Sequence, residues 1–510
     1  MKLYLKNHAE RYPVEQLQLQ LFAQEPSEFC AEPFTGDGTV SSLSRGKRYL
    51  TATAKVTYQG KTGFAVNRVL LDRADVRATR RILQRSYYLA ALQVLPAAPP
   101  WGALSGVRPT KLSTKCLMNG GSEKDAERLL REVYFVSPER AQLCVDASRH
   151  TVEAAKLLDA DDLSVYIGIP FCPTRCAYCS FVSQSIERFG AFLPAYLDAL
   201  LREIAHTGAL LKNSGFHIRM VKEAGLRIKS FYMGGGTPTT LSASQMDALL
   251  TAVNRNFDLS RCLEFTVEGG RPDTLDPQKL CVIKDGGATR ISINPQTFSD
   301  EVLRNIGRRH TAQDILDCYR TARRVGHDNI NMDLIAGLPG DTVEGFRHSL
   351  QTAIDLDPEN ITVHTLTLKR ASNLVVEHRA ADYADVAAMV ESCELLEKAG
   401  YRPYYLYRQK GTLQNLENVG WCKPGYECLY NIYIMEEVHT ILSAGAGGST
   451  KLVAPGARHG KIERIFNYKY PTEYIDRFDT ILARKEGVKQ FYDQYPSCGE
   501  SARPQAHGGV

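Results

Sequence analysis

Residues 166–181 read Tyr-Ile-Gly-Ile-Pro-Phe-Cys-Pro-Thr-Arg-Cys-Ala-Tyr-Cys-Ser-Phe, and this stretch decides how the rest of the chain is interpreted. Its cysteines, Cys172, Cys176 and Cys179, supply three thiolates from one short loop at the end of an apolar strand. Cysteine thiolates are the ligands of iron–sulfur clusters. Three ligands leave one iron of a four-iron cluster open for a small molecule. The stretch therefore predicts an iron–sulfur enzyme whose cluster takes part in chemistry.

Zinc is the alternative metal, because it also accepts closely spaced cysteine ligands. Structural zinc sites usually gather two ligand pairs, and the sequence has no second pair of suitable spacing: Cys422 and Cys428 are separated by five residues. The position directly after a strand and the aromatic Tyr178 before the last cysteine favour an iron–sulfur cluster.

Size and composition limit the classes of function. The 510 residues, 44% of them hydrophobic, are enough for two or three domains with a large core. A net charge of +5 is too small for a nucleic-acid-binding surface, so no nucleic acid is expected as a partner. The thirteen cysteines follow no regular spacing. There is no signal-like start and no apolar run of about 18 residues, so we expect reduced thiols, a cytoplasmic location and no membrane partner.

A strand-then-helix pattern repeats six times from residue 163. The strands are nearly continuous apolar runs, as parallel strands covered on both faces should be, and are predicted at 164–169, 228–233, 263–268, 289–294, 330–336 and 361–366. Helices are predicted at 191–212, 242–256, 312–325 and 342–356, with capping boxes at Ser242–Gln245 and Asp341–Glu344. The fold class is thus α/β. The six units predict a partial (β/α)6 barrel of the TIM type, with its site at the C-terminal strand ends.

The flanks of this repeat differ from it in pattern. In the N-terminal part we predict a strand at 48–58, a turn at Gln59–Lys61, a second hairpin strand at Phe64–Val66, and helices at 76–95 and 122–158. The predicted division is an N-terminal α+β domain of unknown role at 1–160, the barrel at 161–370, a substrate-covering α+β extension at 371–495 and a disordered tail at 496–510.

Further polar or glycine-rich positions follow the predicted strands. Gly234-Gly-Gly-Thr-Pro238 follows the second strand, where glycines let a ligand approach the backbone closely; a tight β-to-α turn is the alternative reading. Glu268, Gln296 and Asp333 end or occupy three later strands. Each alone is explained by a cap or an ion pair, but three on one predicted edge favour a ligand site.

A basic cluster, Arg304, Arg308, Arg309 and His310, follows the fourth strand. Most charges on such a segment are solvated. A single arginine that reaches inward would match the shape of a ligand carboxylate.

These residues resemble the radical SAM superfamily, in which a three-cysteine motif is followed by a glycine-rich motif. Tyr166–Cys172, Gly234–Pro238 and Asp333-Leu-Ile-Ala-Gly-Leu-Pro339 are similar to the oxygen-independent coproporphyrinogen III oxidase family. Trp101-Gly-Ala-Leu-Ser-Gly-Val-Arg-Pro-Thr110 is similar to its HemZ-type branch.

The resemblance implies a cofactor set and a reaction. Cys172, Cys176 and Cys179 would hold a [4Fe–4S] cluster whose fourth iron is chelated by S-adenosylmethionine. Contacts to that cofactor are implied for Tyr166, Tyr178, Gly235, Gly236, Thr237, Glu268, Gln296, Arg308 and Asp333. The implied reaction converts two propionates of coproporphyrinogen III to vinyl groups, with loss of carbon dioxide, to give protoporphyrinogen IX. It needs no catalytic side chain beyond the cluster and the cofactor.

The implied partners are an anionic tetrapyrrole substrate and a cytoplasmic electron donor. Arg175, Arg402 and Arg408 are candidates for contacts with the substrate's carboxylates. The chain departs from the oxidase type at Phe181, where that type has a fourth cysteine. The alternative functions are a haem-binding chaperone or carrier of the same family, and another radical SAM enzyme of tetrapyrroles.

Overall fold

The computed structural model describes residues 1–22, 25–159, 161–179, 181–213, 226–369, 372, 374, 385–454 and 460–495. The chain forms two compact units, Met1–Ser148 with Arg408–Gly411, and Arg149–Tyr407 with Thr412–Val510. The domain boundary predicted at residue 160 falls inside the second of these units. The predicted disordered tail, 496–510, lies outside the described residues.

The first unit contains a five-stranded sheet with the order β2-β1-β3-β4-β5. Its strands are β1 (Lys2–Lys6), β2 (Glu28–Cys30), β3 (Gly38–Arg45), β4 (Tyr49–Tyr58) and β5 (Lys61–Leu70). The predicted hairpin is confirmed: β4 and β5 pair from Tyr58↔Lys61 onward, and both turn residues, Gln59 and Gly60, have positive φ angles of 49° and 76°. That geometry matches the twist of the two strands.

Two helices, Arg11–Leu21 and Val76–Ala91, share the core of the sheet in the first unit. The helices that follow are Thr110–Met118, Glu123–Arg128 and Pro138–Lys156, with a π-helical turn at Leu129–Val133; the last of them continues into the second unit. The helix Val76–Ala91 buries Leu83, Tyr87 and Ala90 in one cluster with Ala54 and Val56 of β4. The single long helical region predicted within 122–158 is therefore broken into three pieces.

The second unit is built on an eleven-stranded sheet that contains the predicted partial barrel. Six parallel strands follow in the order β6, β9, β10, β11, β12 and β13, as the sequence predicted. They are β6 (Asp162–Ile169), β9 (Arg227–Gly235), β10 (Glu264–Gly270), β11 (Arg290–Ile293), β12 (Ile330–Ala336) and β13 (Asn360–Thr365). A short pair, β7 (Phe171–Cys172) and β8 (Gln184–Ser185), lies between the first two.

The segment after residue 385 extends the same sheet rather than forming a separate layer. Its strands are β14 (Arg402–Arg408), β15 (Glu417–Cys422), β16 (Thr440–Ala444), β17 (Ser449–Val453) and β18 (Ile462–Phe466). β16 pairs in parallel with β6, and β15 pairs antiparallel with β13. In the described part of the segment predicted as an α+β extension, 371–495, pairing to β6 and β13 satisfies the otherwise open edges of the barrel sheet.

Helices lie between and after the barrel strands. The described ones of at least six residues are Leu193–Asn213, Ala243–Asn256, Pro277–Asp285, Asp300–Asn305, Ala312–Val325, Val343–Asp355, Val386–Glu391, Leu429–Glu436, Pro471–Asp476 and Phe478–Gln494. The capping box of Ser242 with Gln245 is confirmed. The one predicted at Asp341 is wrong: Thr342 caps that helix by accepting the Gly345 N–H at 2.9 Å, while Asp341 accepts the Thr342 N–H.

A buried carboxylate joins the loop after β16 to the surrounding helices. Glu203 accepts hydrogen bonds from the backbone N–H of Gly445 and the amide of Asn467, both at 2.8 Å, and forms an ion pair with Lys485 at 3.0 Å. Tyr474 donates a third hydrogen bond to Glu203. Because both charged groups of the pair are buried, their partners are needed to offset the loss of water.

No helix within the described ranges is long and apolar enough to cross a membrane.

Candidate active site

The three cysteines lie in the loop that follows β6, at the C-terminal edge of the parallel strands. Cys172 ends β7, which pairs with β8. The N–H of Cys179 donates to the carbonyl of Cys176 at 3.0 Å, and the N–H of Ala177 donates to Ile306 at 3.0 Å. The loop is thus tied both to itself and to the segment after β11.

Burial dominates the electrostatics of these thiols. It raises the pKa of Cys172, and it raises that of Cys179 to about 11. Charge repulsion from Cys176 adds to both shifts. Three cations oppose this repulsion: Arg271 acts on Cys172, Arg308 on Cys176 and Lys369 on Cys179.

A four-iron cluster suits this arrangement better than a single metal ion. Each cysteine of such a cluster binds a different iron, so the three sulfurs need not converge on one point. Consistently, no three His, Cys, Asp or Glu side chains in the described part of the chain form a group for a single metal ion. Nearby cations favour the deprotonated thiolates that metal binding requires.

The glycine loop after β9 packs directly against the cysteine loop. The N–H of Gly236 donates to Ile169 at 2.8 Å, and the N–H of Thr237 donates to Phe171 at 2.7 Å. A Cβ atom at position 236 would lie only 2.6 Å from the Phe171 carbonyl oxygen. Thr237 also donates its hydroxyl to the sulfur of Cys172 at 3.5 Å. Glycine is therefore required at position 236 by close backbone contact.

Glu268 on β10 is a partly buried residue beneath the glycine loop. Burial raises its pKa to about 7, despite the hydrogen bond that it accepts from Tyr232. A Cβ atom at Gly234 would lie 2.6 Å from its Oε2 atom. The carboxyl is thus enclosed between β9 and β10.

Three tyrosine rings surround this carboxyl in a near-parallel arrangement. The centroid of Tyr232 lies 4.4 Å from that of Tyr430, and the ring of Tyr166 lies 6.0 Å from Tyr430 and 6.3 Å from Tyr232. Such an offset arrangement of aromatic rings is favourable and excludes water.

Asp333 on β12 is fixed by two neighbours. Asn331 donates its amide to Asp333 at 2.7 Å, and the Nε2 atom of His364 lies 3.8 Å from the carboxylate. Burial opposes ionisation of Asp333, yet His364 and Asn331 outweigh it and hold the pKa below its usual value. This carboxylate differs from Glu268 because it has a positively charged or donor group on each side.

Gln296 adopts a left-handed backbone conformation, with φ of 69°. Its N–H donates to the carbonyl of Asp333 at 2.8 Å, and its carbonyl accepts from Ile335 at 3.0 Å. These bonds hold the residue in a conformation that non-glycine residues seldom adopt and that is concentrated at functional sites.

Arg308 reaches inward, as one member of the basic cluster was expected to do. It donates to the carbonyl of Asn294 at 2.7 Å and to the hydroxyl of Tyr178 at 3.3 Å. Its neighbour Arg309 is exposed and pairs with Glu187 at 2.7 Å, so it belongs to the solvated part of the cluster. Tyr178 thereby links the cysteine loop to a buried guanidinium.

Several buried polar atoms at this edge have no hydrogen-bond partner among the described residues. They are Thr266 Oγ1, Ser292 Oγ, Asn294 Oδ1 and Arg308 Nε. Buried polar atoms are normally satisfied, so unpaired donors and acceptors gathered at the ends of β10 and β11 fit a polar ligand. S-adenosylmethionine, with amino, carboxylate and hydroxyl groups, has the chemistry to satisfy them.

Sequence reasoning missed several residues of this site. Arg271 donates to Thr174 of the cysteine loop at 2.7 Å and forms a bidentate pair with Asp273. Tyr430 and His364 come from the flanking segment and from β13. Tyr232 could have been found, because it lies two residues before Gly234 on the same face of β9. The others carry no motif.

Two of the suggested substrate arginines have internal contacts instead. Arg408 is buried in the first unit, where it donates to the carbonyl of Leu104 at 2.6 Å and lies over the ring of Trp101. Arg402 donates to the carbonyls of Glu397 and Tyr401. Arg175 is exposed in the cysteine loop.

The comparisons with known proteins agree with this site. Residues 166–353 match the family model described as the radical SAM superfamily. The chain is 38% identical over 481 residues to the oxygen-independent coproporphyrinogen-III oxidase-like protein HemZ of Bacillus subtilis, which covers 92% of each chain. The chain belongs to the HemZ-type branch of the radical SAM superfamily. A [4Fe–4S] cluster and S-adenosylmethionine are the cofactors of this superfamily and of this HemZ-type protein.

This HemZ-type chain is also similar to a heme chaperone and to a solved oxidase structure. The heme chaperone HemW of Bacillus subtilis is 38% identical over 348 residues, 67% of this chain and 85% of its own. The structure of coproporphyrinogen III oxidase (HemN) from Escherichia coli aligns with a TM-score of 0.50 at 23% identity, over 64% of this chain and 72% of that one. This structural likeness confirms the partial-barrel fold.

Proposed function

We propose that this protein converts propionate side chains of coproporphyrinogen III to vinyl groups and so forms protoporphyrinogen IX. The observation that carries the proposal is the similarity to the oxidase-like HemZ protein over 92% of both chains, which includes both flanks of the barrel. The match to the chaperone relative covers only 67% of this chain.

The cysteines and the groups around them divide the task of binding both cofactors. Cys172, Cys176 and Cys179 would hold the cluster, with Arg271, Arg308 and Lys369 compensating its negative charge. When bound, the cluster and S-adenosylmethionine together supply a 5′-deoxyadenosyl radical that can remove a hydrogen atom from an unactivated carbon.

The second set of residues would position S-adenosylmethionine. The glycine loop, Gly235–Thr237, offers backbone groups without side-chain obstruction, and the unpaired Nε atom of Arg308 suits a carboxylate. Tyr166, Tyr178, Glu268, Gln296 and Asp333 complete the set. Because Glu268 and Asp333 sit in environments with opposite effects on pKa, one can donate a hydrogen bond where the other accepts.

The substrate's carboxylates call for cations at the mouth of the barrel. Lys369, half-buried beside Cys179, and the exposed Arg175 of the cysteine loop are the described groups that we assign to this role. Each propionate would lose one hydrogen atom, carbon dioxide and one electron. The proposal therefore includes an acceptor for the electron lost from each propionate and a separate electron donor, both in a reducing cytoplasm.

An anaerobic assay tests the proposal directly. Reconstituted and reduced protein is incubated with S-adenosylmethionine and coproporphyrinogen III, and the products are identified by mass. We expect protoporphyrinogen IX together with 5′-deoxyadenosine. Deoxyadenosine without a decarboxylated product would reject the substrate assignment and retain the radical chemistry.

A haem carrier of the same family is the second candidate, because several relatives are named heme chaperones, including one at 38% identity. Stoichiometric haem binding by protein that forms no decarboxylated product would favour it. Product formation at many turnovers per chain would exclude it as the main function.

A further inference from the structure

The first unit contains a cavity of about 780 Å³ that no part of the proposed reaction uses. It lies between the end of the helix Val76–Ala91 and the segment from Lys124 to Pro138, with Ala98 and Pro99 on a third side. Pockets of roughly 300–1,000 Å³ are typical of sites for small organic ligands.

Part of the cavity lining is apolar. Tyr88, Leu92, Phe135 and Val136 form it. The ring of Phe135 stacks on Tyr88 at 5.1 Å between centroids, and the guanidinium of Arg85 lies 4.9 Å from the same ring. A ligand with an apolar body would therefore meet a preformed aromatic surface.

The backbone of this apolar wall is strained where it borders the cavity. Phe135 has a φ of 59°, a left-handed conformation that bulky residues rarely adopt. It directly follows the C-cap of the π-helical turn Leu129–Val133. Both π-helical turns and left-handed non-glycine residues are concentrated at functional sites. Two rare backbone features next to one cavity point to a site that is maintained for binding.

The cavity lining also carries a row of cations. Lys124, Arg128 and Arg131 all line the cavity. Along the chain they are spaced four and three residues apart. At 1.5 Å of helical rise per residue they spread over about 10 Å. Carboxylates separated along one edge of a ligand match this spacing, whereas the adjoining phosphates of a nucleotide concentrate their charge at one end.

Two acidic residues also line the cavity, so its lining carries three cations and two anions. Arg131 pairs with Glu127 at 2.8 Å, and Arg128 pairs with Asp125 at 3.4 Å, but the side chains of both pairs are solvent-exposed. Such pairs contribute about 0–1 kcal/mol, so a ligand carboxylate can replace the partner. Glu132 is the other acidic residue of the lining.

We propose that this cavity is a second tetrapyrrole site, which binds the macrocycle on the Phe135 wall and its carboxylates at Lys124, Arg128 and Arg131. The choice of a tetrapyrrole rests on the proposed function. The inference that the cavity is a binding site rests on its volume, its apolar wall and its row of cations. The site would hold substrate or product apart from the cluster.

The two tryptophans of the chain, Trp101 and Trp421, allow a direct test. Trp101 is buried in the first unit, two residues after Pro99 of the cavity lining, while Trp421 lies in β15 of the second unit. In the full chain carrying Trp421→Phe, Trp101 is the single tryptophan. Its emission is quenched by energy transfer to a nearby porphyrin. Coproporphyrin III, added without S-adenosylmethionine or reductant, is the probe.

We expect saturable quenching whose Kd rises at least tenfold when Lys124, Arg128 and Arg131 are all changed to Glu. The matched control changes three exposed cations of the same unit, Arg45, Lys47 and Lys61, to Glu and so alters the net charge equally. Its Kd should stay within twofold of the parent. Because all six side chains are exposed, both triple variants are expected to fold.

A pair of neighbouring alanines tests the shape of the site. Ala98 lines the cavity and Ala97 does not, and both are exposed. Ala98→Phe should weaken binding at least fivefold, and Ala97→Phe should leave it unchanged. Absent quenching, or quenching that neither the charge reversal nor Ala98→Phe weakens, would overturn this proposal even if the enzyme forms protoporphyrinogen IX. Loss of product formation with cavity binding intact would instead reject the proposed reaction.

Discussion

The hydroxyl of Tyr232 on β9 donates a hydrogen bond to the carboxyl of Glu268 on the neighbouring strand β10. Both side chains are partly buried beneath the glycine loop, and a Cβ atom at Gly234 would lie against the same carboxyl. The contact joins the second and third strands of the barrel at the edge where the cysteine loop lies. A change in the backbone of the glycine loop would therefore alter the surroundings of Glu268 and, with them, the pKa of its carboxyl.

The raised pKa of Glu268 gives the protein a defined dependence on pH. Burial raises it from 4.5 to about 7, so the folded chain keeps this proton between those values while the unfolded chain has released it. Since the unfolded state binds fewer protons in this window, the free energy of unfolding contributed by Glu268 is greatest below pH 4.5 and decreases up to pH 7. The decrease amounts to about 3 kcal/mol at about 1.36 kcal/mol per pKa unit.

Urea unfolding of cluster-free protein at pH 5, 6 and 7 measures this effect. Glu268→Gln has no titrating group and should flatten the pH dependence relative to the parent. Equal slopes in the two proteins would contradict the assignment.

Replacement of a cluster cysteine should abolish the metal centre. Cys172→Ala, Cys176→Ala or Cys179→Ala removes one of three thiolates, so we expect loss of the iron–sulfur absorbance and of S-adenosylmethionine cleavage to background. Iron content, the visible spectrum and 5′-deoxyadenosine formation are the measurements. Cys281→Ala, at an exposed position, and Cys422→Ala, to which we assign no ligand role, should both retain the cluster. A cysteine variant with full iron content and activity would remove the basis of the proposed function.

Gly236→Ala should damage cofactor binding through the backbone. The new methyl group would lie 2.6 Å from the Phe171 carbonyl oxygen and 2.9 Å from that of Ile169, and neither atom can move without displacing the cysteine loop. Overpacking of this kind costs about 1–3 kcal/mol. We expect at least a tenfold weaker affinity for S-adenosylmethionine in equilibrium dialysis.

Gly106→Ala is the control for that substitution, because its Cβ atom would have no neighbour within 4 Å and its φ angle is ordinary. An unchanged affinity in Gly236→Ala would show that the loop has more room than the contacts indicate.

Glu203→Ala should be strongly destabilising. It leaves the buried ammonium of Lys485 without its ion-pair partner at 3.0 Å and removes acceptors from Gly445, Asn467 and Tyr474. Removal of one partner of a buried pair costs about 3–5 kcal/mol. Urea unfolding should show this loss, whereas Glu486→Ala, which breaks a half-exposed contact with His206 at 3.5 Å, should change stability by less than about 0.5 kcal/mol. Similar values for both variants would contradict the role of Glu203.

The segments that were predicted well carry their signal over a few neighbouring residues. The six barrel strands lie within about two residues of the predicted positions, because continuous apolar runs mark buried parallel strands. The cap at Asp341 was wrong by one residue, since Asp341 and Thr342 are both capping residues and only the geometry of the loop selects one.

The amino-acid sequence by itself predicted the three cysteine ligands, located the glycine loop and determined the order of the barrel strands. In each case the residues that act together are close in the chain, so their spacing carries the information. Only the tertiary structure decided which distant side chains complete the site. Tyr430 beside Tyr232, Arg271 at Thr174 and β16 beside β6 join segments whose separation in the chain is long. Such contacts depend on packing of the whole unit, which no local spacing records.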